Sequence, residues 1–393
     1  MKKLLFLAIG LGALILVLEP QWRSLADLGF RRFATLDRPR PEILVGVCWP
    51  FSINQDGMAD GIQLALEEIN SSGLAAGYAI RLLMRDDGFD WETNRSIALE
   101  FARNSEMSAV IGYYDDSLAI KASLIFEASR LLHLIIGANS TVMTSRGFQY
   151  IVRTVVSNDK IASGLARVAV ERGIRKFALI WEEDAFGENL AYQLLIRLNA
   201  LSSALIYQWS FHREHADFRI PANELKAINA DMCIFAGMEP WSGDFLKEAR
   251  KVGIKMPVFG TFSDNPQMRR RAGDAIEGAI YYDLYNPASL SPQNRTFVQK
   301  FRSRYGKDPD DYAAQGYDAL YLLAQAVQAT HSRNPLDLVY AIRYMEAWEG
   351  ANGRYKFDSR GELEDKPIYL KKFQGGHSVL LQEIQPEPAA PAR

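Results

Sequence analysis

The chain has 393 residues, 48% hydrophobic and 23% charged, with a formal net charge of −2. That composition suits a globular protein long enough for two or three domains, and its charge balance excludes the basic field of a nucleic-acid partner. Two cysteines, Cys48 and Cys233, both in apolar runs, exclude a disulfide framework or a zinc cluster and read as buried free thiols.

At the N-terminus, Lys2 and Lys3 precede an unbroken apolar run over 4–18. A basic start followed by an apolar core is an export signal, so the chain is expected in the periplasm or another extracytoplasmic compartment. The run is long for a signal peptide and short for a membrane span. Ser24, Leu25 and Ala26 offer a small-residue cleavage site beside Arg23. Cleavage and an uncleaved anchor in the inner membrane both stay open. Arg31, Arg32 and the Arg/Pro segment 38–41 read as a linker, so 1–41 are leader or anchor plus linker.

From residue 42 the pattern alternates. Glu42–Trp49 (EILVGVCW) is a run apolar on both faces, as in a buried parallel strand. Residues 60–70 carry Ile62, Ala65, Leu66 and Ile69 at helical spacing, with Gly73 beyond the end. Strands follow at 80–84, 109–113, 131–138 and 150–156, with helices at 93–104 and 118–130. The rhythm restarts with a helix over 161–172. Strands at 176–181, 204–211, 232–238 and 258–261 then alternate with helices at 188–200, 221–228 and 242–252. Repeated strand–helix units predict parallel sheets covered by helices on both faces. After 278–285 come helical segments near 293–304, 310–330 and 335–346. A final hairpin turns at Gly375 and Gly376.

The stretches GIQLALEEINSSG (61–73), LLMRDDGFD (82–90), AVIGYYDDS (109–117) and TSRGFQYIVRTVVSND (144–159) carry a resemblance. So do WEEDAFGENLA (181–191), EARKVGIKMPVFGT (248–261), GDAIEGAIYY (273–282) and GYDALYLLAQAV (316–327), in the same order. Together they resemble type I periplasmic binding proteins of the leucine/isoleucine/valine-binding kind over about 42–380. The resemblance implies an α/β fold of two doubly wound parallel-sheet lobes joined by three crossover strands. Lobe one would hold 42–155 and 285–358, lobe two 156–280 and 359–383, with a disordered tail at 384–393. A ligand would be trapped between the lobes by hinge closure.

Ligands of open parallel sheets sit outside the carboxyl ends of the strands. That rule picks 49–54, 113–117 and 138–141 in lobe one, and 182–186, 238–241 and 262–264 in lobe two. The resemblance implies that a ligand carboxylate is read by hydroxyls and backbone N–H groups in the loops matching 115–117 and 138–140. It also implies that an acid in lobe two takes the ammonium. Ser117, Ala138, Asn139 and Ser140 fit that reading, and Phe186 takes the place of an aromatic that packs on the ligand. Asp116 stands near the hydroxyl position and Phe262 near the acid, so the pattern departs there. Asp115, Asp116, Glu239 and Asp264, beside Trp49, Tyr113, Tyr114, Phe186, Trp241 and Phe262, suit an organic cation through charge-assisted hydrogen bonds and cation–π contact. A neutral or amino-acid ligand stays open. Glu182–Asp184 read as surface or N-cap residues.

No cofactor is implied. Asp86, Asp87 and Asp90 lack the spacing and closing Glu of a calcium loop, and His212 with His215 reads as a solvated loop rather than a metal site. No phosphate loop or nucleophile elbow occurs, so an enzyme is not expected. The expected role is a solute-binding protein that passes a small molecule (an amine, an amino acid or a related solute) to an ABC importer's permease. A sensory protein reporting to a separate receptor is the alternative.

Overall fold

A computed structural model of the chain describes residues 20–261 and 264–385. The apolar run 4–18, Phe262 and the tail from 386 lie outside the described residues.

The first described element is a helix, α1 (Pro20–Leu36), in the segment expected to be leader and linker. It then gives way to β1 (Glu42–Trp49), buried from Ile43 to Trp49 as a two-faced apolar run requires. Next come α2 (Met58–Ser72), β2 (Ala79–Asp86), α3 (Trp91–Arg103), β3 (Met107–Gly112), α4 (Asp116–Ala128), β4 (Leu132–Ile135), α5 (Val142–Ser145) and β5 (Ile151–Arg153). The five strands form one sheet in the order β2-β1-β3-β4-β5. Its ladders are parallel, with Glu42 opposite Ala79 and Cys48 opposite Gly112. α2 stops at Gly73, whose φ of 69° suits glycine and whose N–H closes onto Ile69.

The chain then builds a second layered unit. It contains α6 (Asn158–Glu171), β6 (Lys176–Glu182), α7 (Ala185–Ala200), β7 (Ala204–Phe211), α8 (Arg219–Lys226), β8 (Met232–Ala236), α9 (Trp241–Lys251), β9 (Val258–Gly260), α10 (Pro266–Ala272) and β10 (Ile280–Asp283). It returns to the first unit with α11 (Pro292–Tyr305), α12 (Asp311–Thr330), α13 (Pro335–Arg343) and the small ribbon β11 (Trp348–Gly350) with β12 (Gly353–Tyr355). α12 crosses α2 backbone to backbone at Gly61, where a Cβ would lie 1.9 Å from the Ala313 carbonyl oxygen. The final hairpin, β13 (Ile368–Gln374) and β14 (His377–Ile384), completes the second sheet in the order β14-β13-β10-β9-β8-β6-β7. β13 pairs antiparallel with β10.

The molecule is thus two α/β lobes joined by three stretches, 154–157, 284–291 and 356–367. Two separate cores each stay within one lobe, packed against its sheet. A third apolar cluster takes in residues of both lobes and runs along the crossovers, from Val155 and Ile161 to Tyr285 and Ile368.

Several expectations need correcting. β4 and β5 are shorter than 131–138 and 150–156, because 136–141 and 154–157 leave the ladder to build the seam and the first crossover. Ile384 ends β14 and is buried, so it belongs to the hairpin rather than the tail. Cys48 and Cys233 are buried free thiols, as their apolar runs led one to expect.

Candidate functional site

The carboxyl ends of β1, β3 and β4 face those of β6 and β8 across the seam between the lobes. In lobe one, Trp49 ends β1 fully buried, and its indole N–H donates to Asp56 Oδ2 at 3.0 Å. Its ring meets Tyr114 edge-on at 5.2 Å and Tyr312 at 5.1 Å. Tyr114 also packs on Tyr312 at 5.2 Å and on Phe89 at 5.4 Å. Edge-to-face packing of this kind fixes ring orientation.

The adjacent aspartates do different work. Asp115 is the N-cap of α4, accepting the Leu118 N–H at 2.9 Å. Asp116, one residue on, reaches across to the β4 loop and accepts the Ser140 N–H at 2.7 Å. Its carboxyl is pushed up to about 8, chiefly by burial, with Asp115 and Asp184 adding to the rise against the Ser140 bond and Arg153. Arg153 holds the same loop from behind. Its guanidinium donates to the carbonyls of Asn139 at 2.9 Å and Ser140 at 2.6 Å, and pairs with Glu362 of the third crossover. Asn139 donates to the Val156 carbonyl at 2.6 Å. Ala138 is fully buried, and Ser117 sits half-buried in the first turn of α4.

In lobe two, Glu182 ends β6 only 1% exposed, with Arg213 Nε 2.8 Å from its Oε1. The expectation of a surface or capping residue fails for Glu182 because this ion pair lets it be buried. Asp184 does cap α7, accepting the Gly187 N–H at 2.7 Å, and also meets Arg213 at 3.0 Å. Burial and Glu182 push Asp184 up to about 7. Arg213 lies 5.3 Å over the Trp241 ring, and the Trp241 indole donates to its carbonyl at 2.9 Å. Glu239 accepts from Asn265 at 3.2 Å and bears electrostatically on Tyr114, Tyr282 and Tyr312. Phe186 is buried in the apolar cluster shared by the two lobes. Asp264 points elsewhere, in a two-pronged pair with Arg269, which also donates to the Gly376 carbonyl of the hairpin turn.

The lobes touch beside Asp116. The Thr141 N–H donates to Asn189 Oδ1 at 3.2 Å, the Asn189 amide returns a bond to the Thr141 hydroxyl at 3.0 Å, and Asn158 joins at 3.1 Å. The structure therefore brings Trp49, Tyr114, Asp115, Asp116, Ser117, Ala138, Asn139, Ser140, Glu239 and Trp241 to strand ends along the seam. Sequence reasoning missed Asp56, Arg153, Asn189, Arg213, Tyr282 and Tyr312. Arg213 lay in the polar stretch weighed only for its histidines, and Tyr312 comes from a helix more than two hundred residues beyond Trp49. Among the described residues no group of three or more His, Cys, Asp or Glu could hold a metal ion.

The profile of the periplasmic binding protein family matches residues 49–377. The Leu/Ile/Val-binding protein homolog 1 of Brucella suis is 24% identical over 350 residues, covering 88% of this chain and 94% of that one. The leucine-specific-binding protein of Salmonella typhimurium is 27% identical over 308 residues, covering 78% and 82%. An ABC transporter substrate-binding protein from Desulfitobacterium hafniense, solved in complex with leucine, is 30% identical with a TM-score of 0.77. That match covers 86% of this chain and all of the other.

Proposed function

The chain belongs to the periplasmic binding protein family, and from that premise we propose that it traps a small organic cation at the seam between its lobes and delivers it to an ABC importer. Location outside the cytoplasm follows the family. Membrane contact through the N-terminal segment, and a role without chemistry of its own, are part of the same proposal.

One observation carries the cation. Asp115, Asp116, Glu182, Asp184 and Glu239 converge on the seam, and the nearby guanidiniums are already engaged. Arg213 is shared by Glu182 and Asp184, and Arg153 is taken up by two carbonyls and Glu362. Burial raises Asp116, Glu182 and Asp184, and a cationic guest would favour their charged forms. Tyr114 and Tyr312, both half-buried and backed by Trp49, add aromatic surface for the same guest. A ligand carboxylate, in contrast, would meet Asp116 where it already holds the Ser140 N–H.

The solute binds one lobe and the crossovers flex until the other closes over it. Closure is driven only by the difference in affinity between closed and open states. The permease then recognises the closed form.

A thermal-shift screen of amines, diamines, basic amino acids, leucine, amides and sugars tests this. A ligand at 100 times its Kd should add about 2.7 kcal/mol of stability. Amines are expected to raise the Tm most. A rise with leucine or with anions alone removes the cation from the proposal and leaves an amino-acid binder.

A further inference from the structure

α1 lies outside residues 49–377 that match the family, yet it is built into lobe one. Leu25 and Leu36 are buried, and Leu25 belongs to the core on the outer face of the first sheet. Arg32 is fully buried, and its guanidinium donates to the carbonyls of Ala102 at 2.6 Å, Asn104 at 3.3 Å and Ser129. Asn104 and Ser129 are the C-caps of α3 and α4. One arginine thus caps two helix C-termini, where orphan carbonyls and the negative dipole ends favour a cation. Gly29 permits the approach, since a Cβ there would stand 3.0 Å from the Ser129 carbonyl oxygen. Downstream, buried Arg333 donates to the carbonyls of Leu36 at 2.8 Å, Arg38 at 2.5 Å and Glu42 at 3.1 Å. These bonds fasten the segment between α1 and β1 as well.

The position matters as much as the fit. In strand–helix units the helix C-termini lie at the amino edge of the sheet, opposite the ligand loops. α1 is therefore fastened to the pole of lobe one farthest from the cleft. Only Glu19 separates the apolar run 4–18 from Pro20, so the chain has no slack spacer between them. At this pole Phe30 is 57% exposed, with the Arg130 guanidinium 4.0 Å over its ring, and Asp27, Arg31, Asp37 and Arg38 are exposed beside it, so the surface next to the apolar run carries charges of both signs.

We propose that residues 20–36 are kept in the working protein as a brace. It fastens lobe one, by its pole opposite the cleft, to a lipid bilayer entered by the apolar run 4–18. Lobe one is then the fixed half and lobe two the moving one. This rests on the export reading above but not on the identity of the solute.

The test uses the full chain with a C-terminal tag, expressed in a bacterium and fractionated. The expected result is an uncut chain in the membrane fraction, digested by protease added to spheroplasts and released by detergent but not by alkaline carbonate. An exported soluble chain beginning at Asp27 or later overturns the brace and leaves the solute reading standing. A chain protected inside spheroplasts overturns export, and the solute reading with it. Limited proteolysis of the purified chain in detergent reads the brace itself. Arg32→Ala should speed cleavage within 20–40 about 10-fold by raising the population of the undocked helix, with amine binding unchanged. Should R32A fail to accumulate, Gly29→Leu strains the same docking contact and gives the same readout. Cleavage of either variant at the parent rate overturns the docking role.

Discussion

Lobe one buries an ionisable side chain at both poles, on opposite terms. At the far pole Arg32 meets three carbonyls at the ends of two helices. At the cleft pole Asp116 is 3% exposed, accepts one amide bond and sits among other acids. A buried charge met by carbonyl acceptors on several elements holds structure together. A buried acid short of opposite charge is poised for a guest that supplies it.

The comparison breaks most directly at Arg32. Arg32→Ala should lower the stability of lobe one by about 3 kcal/mol, because two helix ends lose their cap. Denaturant unfolding of the full chain checks this, and amine affinity should move less than twofold. Asp116→Asn should do the reverse. It is expected to weaken amine binding about 100-fold by calorimetry, with a Tm equal to or above the parent's. An unaltered affinity would detach the twin aspartates from the site. Glu239→Gln, on the lobe-two side, should cost about 10-fold in the same titration, as for one partner of a charge pair. Trp49→Phe keeps the ring but loses the bond to Asp56, and a loss of about 1 kcal/mol in stability is expected.

The smallest effect is on pH. Asp116 at about 8, Asp184 at about 7 and Asp56 at about 6 are raised, chiefly by burial, above the ordinary 3.8. In the folded protein these acids hold protons that the unfolded chain has lost. Their stabilising contribution is complete below about pH 4 and is lost as the pH climbs through the folded values. His133, lowered to about 3 by burial, acts in the opposite sense below 6.5. Lys366, lowered to about 8, does so above 8. The clean window is therefore pH 6.5–8, where the Tm of the ligand-free protein should fall with rising pH while amine affinity rises. A flat Tm together with a flat affinity would mean that the cleft acids are ordinary.

Much of the fold was legible because periodicity and burial agree locally. Glu42–Trp49 and Ala204–Phe211 were bounded to the residue, one as a continuous apolar run between turn signals. Gly375 and Gly376 mark the last turn by composition alone, both with positive φ. α1 was not legible for an equally local reason. Its inward stripe is Leu25, Leu28, Arg32 and Leu36, and an arginine in a core position reads as surface until the carbonyls that receive it are known. The site divides in the same way. Loops at strand ends follow from the order of elements, so Asp115, Asp116, Asn139 and Ser140 could be named in advance. Asp264 could be named too, but its Arg269 partner draws it away from the seam.

By itself the sequence determined the two runs of strand–helix units, the closing hairpin and the acidic, aromatic character of the loops, because these depend on neighbours within a few residues. Only the tertiary structure decided which acid caps a helix and which reaches Ser140. The same holds for Arg213 lying over Trp241 against Glu182, and for Arg32 closing the ends of two helices. Each of those outcomes pairs groups far apart along the chain, and a buried charge takes its role from the partners that folding brings to it.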